Sequence, residues 1–323
     1  MRKKLMAGLL ILSMIGAGAG CTPEKVPSGG SGRSSGNGGS SSGYSEHLLQ
    51  MSVSDGVPSL EGEGPYCFVG EEQGLTDFSV RLLQESFQTE ENAMISPLSL
   101  MTALNMAGMG AEGETRAQLE EALGSSIGYL AVFLEGFYDR MEGRQSKLTA
   151  ANSVWIRDEE NRLTVKDQFI VDAEAYFDAE VFKAPFDDTT VDDINYWCSQ
   201  ATDGMIPQLM DTIAPEEVMH LINAITFDGD WQTPYASYET GRSTFFNADG
   251  SSTKTEFMYS TEWTYREDKS VTGFMKPYKD GFSFVALLPE YGLCTGVPLA
   301  GQEDYTLELS GEQEGDGVRG NPE

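Results

Sequence analysis

Residues 32–36 read Gly-Arg-Ser-Ser-Gly, the G-x-S-x-G spacing that presents a nucleophilic serine in many hydrolases. That chemistry needs a strand before the serine and a helix after it, so that the hydroxyl stands clear at a sharp turn. Here the pattern lies inside GGSGRSSGNGGSSSG, which offers neither, and the match is one of composition. The other candidates are equally poor. Of the two histidines, His47 lies near that run and His220 leads into an apolar stretch, and a lone histidine in either place reads as structural. No H-E-x-x-H or Walker loop occurs, nor a dinucleotide-binding glycine fingerprint set between a strand and a helix. Cys67, Cys198 and Cys294 are widely spaced and form no C-x-x-C pair, so neither a disulfide framework nor a zinc site is indicated. Cys198, beside Trp197 in a helical pattern, reads as a small buried residue. The acidic pairs Asp187-Asp188 and Asp192-Asp193 fall in connections or at helix starts, where carboxylates complement the helix dipole. The expectation is a protein that is not an enzyme, with no catalytic residue, metal or cofactor.

The bulk charge excludes a further class. The 323 residues hold 51 acidic and 21 basic side chains, a formal charge of −30. Binding nucleic acid draws on clustered Lys and Arg, which this balance does not supply. A hydrophobic share of 40% is enough for a folded core. At the N-terminus, MRKK, the apolar run Leu5 to Ile15 and GAGAGC have the layout of a secretory signal, too short to span a bilayer comfortably. A cysteine after Gly-Ala-Gly resembles a bacterial lipobox, with Gly18 where leucine is usual, and makes Cys21 the expected lipid-attachment residue. The expectation is an extracytoplasmic lipoprotein at a bacterial cell surface, with a secreted protein as the alternative. Residues 22–73 then read as a Gly/Ser-rich tether and a weakly structured approach to a domain.

The elements follow helices first, then mostly strands, an α+β order. Phe78, Leu82, Leu83 and Phe87 fall at helical spacing with Thr76 or Asp77 as caps. Ser96 and Pro97 open a second helix with little polar face, Leu98 to Met109, which predicts a central position. After GMGAEGE, Thr115 and Gln118 offer a capping box for a third helix. KLTAANSVWI reads as a strand, VKDQFIVDAEAYFDAEV as helix, and VDDINYWCSQATDGMIPQLM as an amphipathic helix closed by Gly204. VMHLINAITFDGDW is a strand buried on both faces. Two hairpins follow, turning at Asp249-Gly250 and at Lys279-Asp280-Gly281.

Set in that order, the motifs resemble the serpins, inhibitors of serine and some cysteine proteases. The match runs from about Leu75 to Pro289. It comprises Asn92, Ser96, Pro97 and Ser99; Gly110, Ala111, Gly113 and Thr115; Asn152; Asn195, Thr202, Gly204 and Ile206; Asn223, Ala224, Phe227, Gly229 and Trp231; Pro234, Tyr235, Thr240 and Phe245; and Pro277, Tyr278, Gly281 and the LLP of 287–289. Met205 stands where lysine is usual and Tyr235 where phenylalanine is common. The resemblance implies helices around a large central sheet and smaller sheets, over residues 74–292, incomplete at the C-terminus. It also implies a mechanism in which a protease cleaves an exposed loop and the loop inserts as a new strand in the central sheet. Asn92, Ser96, Ser99, Asn223, Trp231 and Thr240 would belong to the regions where that sheet opens, and a serine or cysteine protease would be the partner of a full-length, monomeric form. The membrane would be met only through the N-terminal lipid. Residues 293–323 depart from the family, and no stretch after Pro289 has the small-residue hinge or the reactive centre. The chain as written is therefore expected to be truncated or frameshifted near Tyr291, and inactive. The alternative is a non-inhibitory, serpin-like surface binding protein.

Overall fold

The run VMHLINAITF forms most of strand β5, Glu217–Asp228, and eight successive residues of it, Val218 to Ile225, are buried. In the computed structural model, residues 4–15 (as backbone), 43–54, 56–59, 71–86, 93–159, 162–247, 250–262, 264–267 and 271–289 are described. β5 lies in a five-stranded sheet of order β1-β5-β3-β4-β2, with β1 at Lys4–Ile15, β2 at Leu49–Met51, β3 at Lys147–Arg157 and β4 at Ala179–Ala184. β3 is antiparallel to β5 and parallel to β4.

Both faces of this sheet are covered, which is why its strands are continuously apolar rather than alternating. One face carries Val154, Val181 and Leu221 beneath α1 (Glu71–Ser86), α2 (Pro97–Met109), α3 (Gly113–Leu123), α4 (Ile127–Met141) and α5 (Asp167–Phe177). The other carries Trp155, Phe182 and Ile222 against Ile194 and Trp197 of α6, Asp188–Ala201. Neighbouring residues 154 and 155 feed opposite cores, as the two-residue period of a strand requires. The second half of the chain adds two small sheets. β6 (Thr240–Phe246) pairs with β7 (Ser252–Met258), while β8 (Thr264–Glu267), β9 (Val271–Pro277) and β10 (Ser283–Pro289) form a three-stranded sheet of order β10-β9-β8. The fold is α+β, with helices gathered on a large sheet and small sheets beside it.

Helix α2 starts and sits as its sequence predicts. Ser96 is its N-cap, accepting from the Ser99 N–H at 3.4 Å, and Pro97 takes the first helical position. α2 touches α1, α3, α4, α5, β1 and β5, so nearly every side of it meets another element. At Gly108 a Cβ would lie 2.2 Å from Ile127 Cδ1, and the missing side chain is what lets α4 approach.

Four sequence expectations change. Helix α1 begins at Glu71, so Thr76 and Asp77 lie inside it rather than capping it. Glu71, Glu72 and Gln73 are strong helix formers, and Gln73 Nε2 donates to Asp77 Oδ1 at 2.8 Å. Thr115 and Gln118 form no capping box, because the chain turns at Gly113 (φ 60°), Glu112 takes the cap position, and Gln118 Nε2 bonds Glu114 instead. The stretch read as helix to Val181 stops at Asp178, in the left-handed region (φ 47°), and continues as β4. Within the expected loose approach, residues 43–59 dock on the domain. Tyr44 meets Tyr196 edge-on at 4.9 Å, the Ser45 N–H and hydroxyl both donate to Asp193, β2 pairs with β4, and the Ser59 N–H donates to Asp172 at 2.8 Å. Residues 4–15 pair antiparallel with β5 as the outermost strand, β1. Helix α4 and strand β8 were not anticipated, although Ile127, Leu130, Ala131 and Leu134 have the spacing of one helix face.

Candidate functional site

The middle of β5 carries an asparagine among apolar residues, and a buried side-chain amide must find partners on every side. Asn223 finds them in two directions. The Ser99 hydroxyl, from the first turn of α2, donates to Asn223 Oδ1. Asn223 Nδ2 donates to Asn152 Oδ1 at 2.7 Å, and Asn152 Nδ2 donates to the Phe177 carbonyl at 2.6 Å. Asn152 and Asn223 are direct cross-strand partners in the β3–β5 ladder. Ser99 and Asn223 are fully buried and Asn152 is 4% exposed. One chain of hydrogen bonds thus runs from α2 through β5 and β3 to the end of α5, with the amides satisfied in a dry core. Breaking any link leaves a buried polar atom bare, at a cost of about 1–3 kcal/mol.

The same helix uses a second buried polar side chain, Thr102, to bond helix α4. Thr102 Oγ1 donates to the Leu98 carbonyl at 2.9 Å and shares a 3.0 Å hydrogen bond with the Tyr138 hydroxyl of α4. Burial pushes that Tyr138 phenol up to about 12.

A second cluster lies just past the C-terminal end of β5. Trp231 stacks on Tyr278 with ring centres 4.1 Å apart, and the two residues form an antiparallel bridge. The Gln232 N–H donates to the Pro277 carbonyl and the Lys279 N–H to the Asp230 carbonyl, so this crossing is stitched by backbone as well as rings. Phe227 meets Tyr278 and Phe282, each at 5.0 Å. Gly229 is required at this crossing, since a Cβ there would lie 2.6 Å from the Phe227 ring and 3.0 Å from Tyr278. Lys276, 4% exposed, sets its ammonium 4.4 Å from the Tyr235 ring centre and 5.7 Å from that of Trp231. It also pairs with Glu262 Oε1 at 2.6 Å. Burial acts to raise the Glu262 pKa, but hydrogen bonds from Lys276 and Ser260 and the Lys276 charge outweigh it and hold the carboxyl below its ordinary value.

The expected site residues are therefore not one constellation. Ser99 and Asn223 meet directly. Ser96 is half-buried, and its part is to cap α2 and so fix the turn that aims Ser99. Trp231 belongs to the aromatic crossing. Thr240 is exposed at the start of β6, where its hydroxyl donates to the Ser237 carbonyl at 3.1 Å, and it joins neither cluster. Asn92 and Cys21 lie outside the described residues. Asn152 and Tyr278 are the links that the sequence reading noted as motif positions without assigning them to a cluster. Asn152 opposite Asn223 was invisible without the strand register. Asn195, Thr202 and Gly204 fasten a loop instead. Asn195 Oδ1 accepts from the Leu209 and Met210 N–H groups at 2.7 and 3.0 Å, Thr202 Oγ1 accepts from the Ile206 N–H, and Gly204 has φ 73°. Among the described residues no group of His, Cys, Asp and Glu is placed to hold a metal, and burial raises the Cys198 thiol to about 11, where it is no nucleophile.

A buried polar chain across a covered sheet, with an aromatic crossing beyond the end of its central strand, is an arrangement for holding strands together. Residues 73–295 match the family described as Serpin (serine protease inhibitor). The chain belongs to the serpin family. It is 27% identical to Serpin I2 of Homo sapiens over 234 residues, covering 68% of this chain and 57% of that one. It is 33% identical to Iripin-1 of Ixodes ricinus over 194 residues, covering 56% and 48%. Among solved structures, the thermophilic serpin Tengpin in its latent state superposes with a TM-score of 0.65 at 40% identity, covering 71% of this chain and 63% of that one. The chain thus spans about half the length of the curated serpins it matches.

Proposed function

We propose that this serpin is built to inhibit a serine or cysteine protease at the cell surface, by admitting its own cleaved reactive loop as a strand of the central sheet. The observation that carries this reading is the polar chain Ser99–Asn223–Asn152–Phe177, which spans α2, β5 and β3 at mid-strand in a family of protease inhibitors. β3 and β5 are joined by an unbroken antiparallel ladder, so the polar chain seats that pair on α2 as one unit, and its short polar side chains can remake their hydrogen bonds when a strand enters beside them. Ser96 and Ser99 set one end of the fastening, while Trp231 with Tyr278 closes the region beyond β5. In this role they govern a conformational change and perform no chemistry. The chain is not an enzyme in this reading, and Cys21 carries the lipid that holds it at the surface.

Residues 290–323, YGLCTGVPLAGQEDYTLELSGEQEGDGVRGNPE with its leading Glu290, contain no alanine-rich hinge. In this reading inhibition belongs to a form that carries hinge, loop and terminal strands. Incubation of the purified chain with trypsin, chymotrypsin and subtilisin is expected to give no SDS-stable complex. A form extended with the hinge and loop sought by translating the DNA beyond codon 291 in the other two frames is expected to give one. An SDS-stable complex with the 323-residue chain itself contradicts the reading. Lipidation is tested separately, by incorporation of labelled palmitate that Cys21→Ser abolishes.

A further inference from the structure

Helix α6 is an excursion between two strands of the large sheet. The chain leaves β4 at Ala184, passes Phe186 and enters α6, then returns through residues 202–216 to start β5 at Glu217. Both ends of that excursion meet one side chain, His220, fully buried on β5. At the leaving end, the Phe186 ring stacks on His220 with centres 5.1 Å apart and planes at 18°. The Arg157 guanidinium lies 5.1 Å from the centre of the same ring. Phe186 is itself buried and has φ 62°, a region that a bulky side chain rarely adopts, and its N–H donates to Thr190 Oγ1 at 2.9 Å. At the returning end, Glu217 Oε2 accepts from the Ala214 N–H at 2.7 Å and lies 3.8 Å from His220 Nε2. Arg157 grips the same turn, donating to the Glu217 carbonyl at 2.7 Å and the Ala214 carbonyl at 3.3 Å, and Arg162 donates to the Pro215 carbonyl at 2.7 Å.

We propose that His220 is the pin of an acid-sensitive latch, which holds both ends of α6 to the sheet while neutral and releases them when it takes up a proton. A neutral imidazole suits the face of an aromatic ring in a packed core. A proton makes it a buried cation beside Arg157, which already brings a positive charge to the same ring. The closed arrangement resists that proton, and an opened one, with the imidazole in water, does not. Burial holds the His220 pKa below 6.5, with Glu217 opposing and Arg157 reinforcing. The closed form is therefore fully favoured above pH 6.5, and loses up to about tenfold against the open form for each pH unit from there down to the depressed value. Glu217 sets how the turn gives way. An imidazolium N–H draws its Oε2 from the Ala214 N–H, while Phe186, losing its neutral stacking partner, leaves its strained φ. Of the other neighbours, the register partners Trp155 and Ser13 carry no charge, and Glu159 pairs with Arg157 and Arg162. Asp187, the cap of α6, is held below its ordinary pKa by the Thr189 hydroxyl and stays ionised while His220 titrates. The latch requires neither protease inhibition nor lipidation, and its test reads neither.

The test uses the full chain with labelled histidine. It has two histidines, and His47 is exposed, so the His220 ring can be followed by NMR from pH 7.5 to 5. Hydrogen exchange, corrected for the intrinsic effect of pH, is read over the same range at the Phe186, Thr190, Ala214 and Glu217 amides. Their protection is expected to fall by about tenfold, with the midpoint of the His220 ring, while the β9–β10 ladder keeps its protection. His220→Gln, which leaves a neutral polar side chain in place, is expected to remove the pH dependence at those four amides. Glu217→Gln provides a second arm should that variant not fold. It removes the charge that favours the imidazolium, so the ring titration and the amide change are expected to move together to lower pH. Protection that is independent of pH, or that falls with a midpoint different from the ring's, overturns the proposal. So does a fall that survives in His220→Gln, an equal fall in β9 and β10, or a shift of only one of the two midpoints in Glu217→Gln.

Discussion

β5 and β10 are both strongly apolar strands, yet they live in opposite surroundings. β5 has β3 on one side, β1 on the other and packed helices on both faces, and Leu221, Ile222 and Asn223 are wholly buried. β10 has β9 beside it, and Phe284, Val285, Leu287 and Leu288 are 39–72% exposed. Apolar content therefore does not decide where a strand ends up; the neighbours available to it do. Where neighbours are plentiful, even an asparagine is accommodated, because Ser99 and Asn152 complete its hydrogen bonds. Where they are few, leucines face solvent and form the kind of apolar patch that recruits a partner.

That contrast can be broken by substitution, and the largest effect falls in β5. Leu221→Ala is expected to cost about 2–5 kcal/mol by leaving a cavity between sheet and helices, and Leu288→Ala within about 0.5 kcal/mol. Urea midpoints of the two variants measure the difference directly, and similar values would dissolve the comparison. Next comes the polar chain. Ser99→Ala and Asn152→Ala should each cost about 1–3 kcal/mol. Because both bond the same Asn223 amide, the double variant should depart from additivity by at least about 0.5 kcal/mol. Additive costs would mean that the two links are independent.

A smaller effect separates the regions by pH. His220 lies buried in β5, stacked on Phe186 at 5.1 Å. Burial pushes its pKa below the ordinary 6.5, with Glu217 opposing and Arg157 reinforcing. The unfolded chain therefore takes up this proton near pH 6.5 while the folded chain does so only at lower pH. The stability that the neutral imidazole confers is present above 6.5 and is lost as pH falls through that value toward the depressed folded pKa. Urea midpoints measured from pH 7.5 to 5 should show this slope, and His220→Gln should flatten it. The smallest effect on stability is at the exposed strand: Leu288→Lys should leave the midpoint nearly unchanged but reduce self-association in sedimentation velocity. Unaltered association would mean that this surface is not adhesive.

The sequence was most legible where a local rule had no competitor. Ser96-Pro97 opens α2 as capping chemistry dictates, VMHLINAITF is buried on both faces, and Lys279-Asp280-Gly281 turns a hairpin with Asp280 and Gly281 both at positive φ. It was least legible where distant residues competed. Thr115 looked like a cap until Gly113 and Glu112 took the turn from it. Residues 43–59 looked loose because their partners, Asp193, Tyr196 and Asp172, lie more than a hundred residues away. Asn223 and Asn152 were visible as motif residues, but their union depends on strand register, which only the folded ladder fixes. Thr240 shows the converse: a motif position can mark a turn and touch neither cluster.

The central claim is that one buried chain of hydrogen bonds fastens α2 to β5 and β3 at mid-strand. Residue-resolved hydrogen exchange on Asn223→Ala tests it most directly. The amides of the β3–β5 ladder around Ala151, Ser153 and Ile222 should exchange about 10–100-fold faster than in the unaltered chain, while those of β9 and β10 stay as they were. Unchanged exchange between β3 and β5, or an equal acceleration in β9 and β10, would contradict the account.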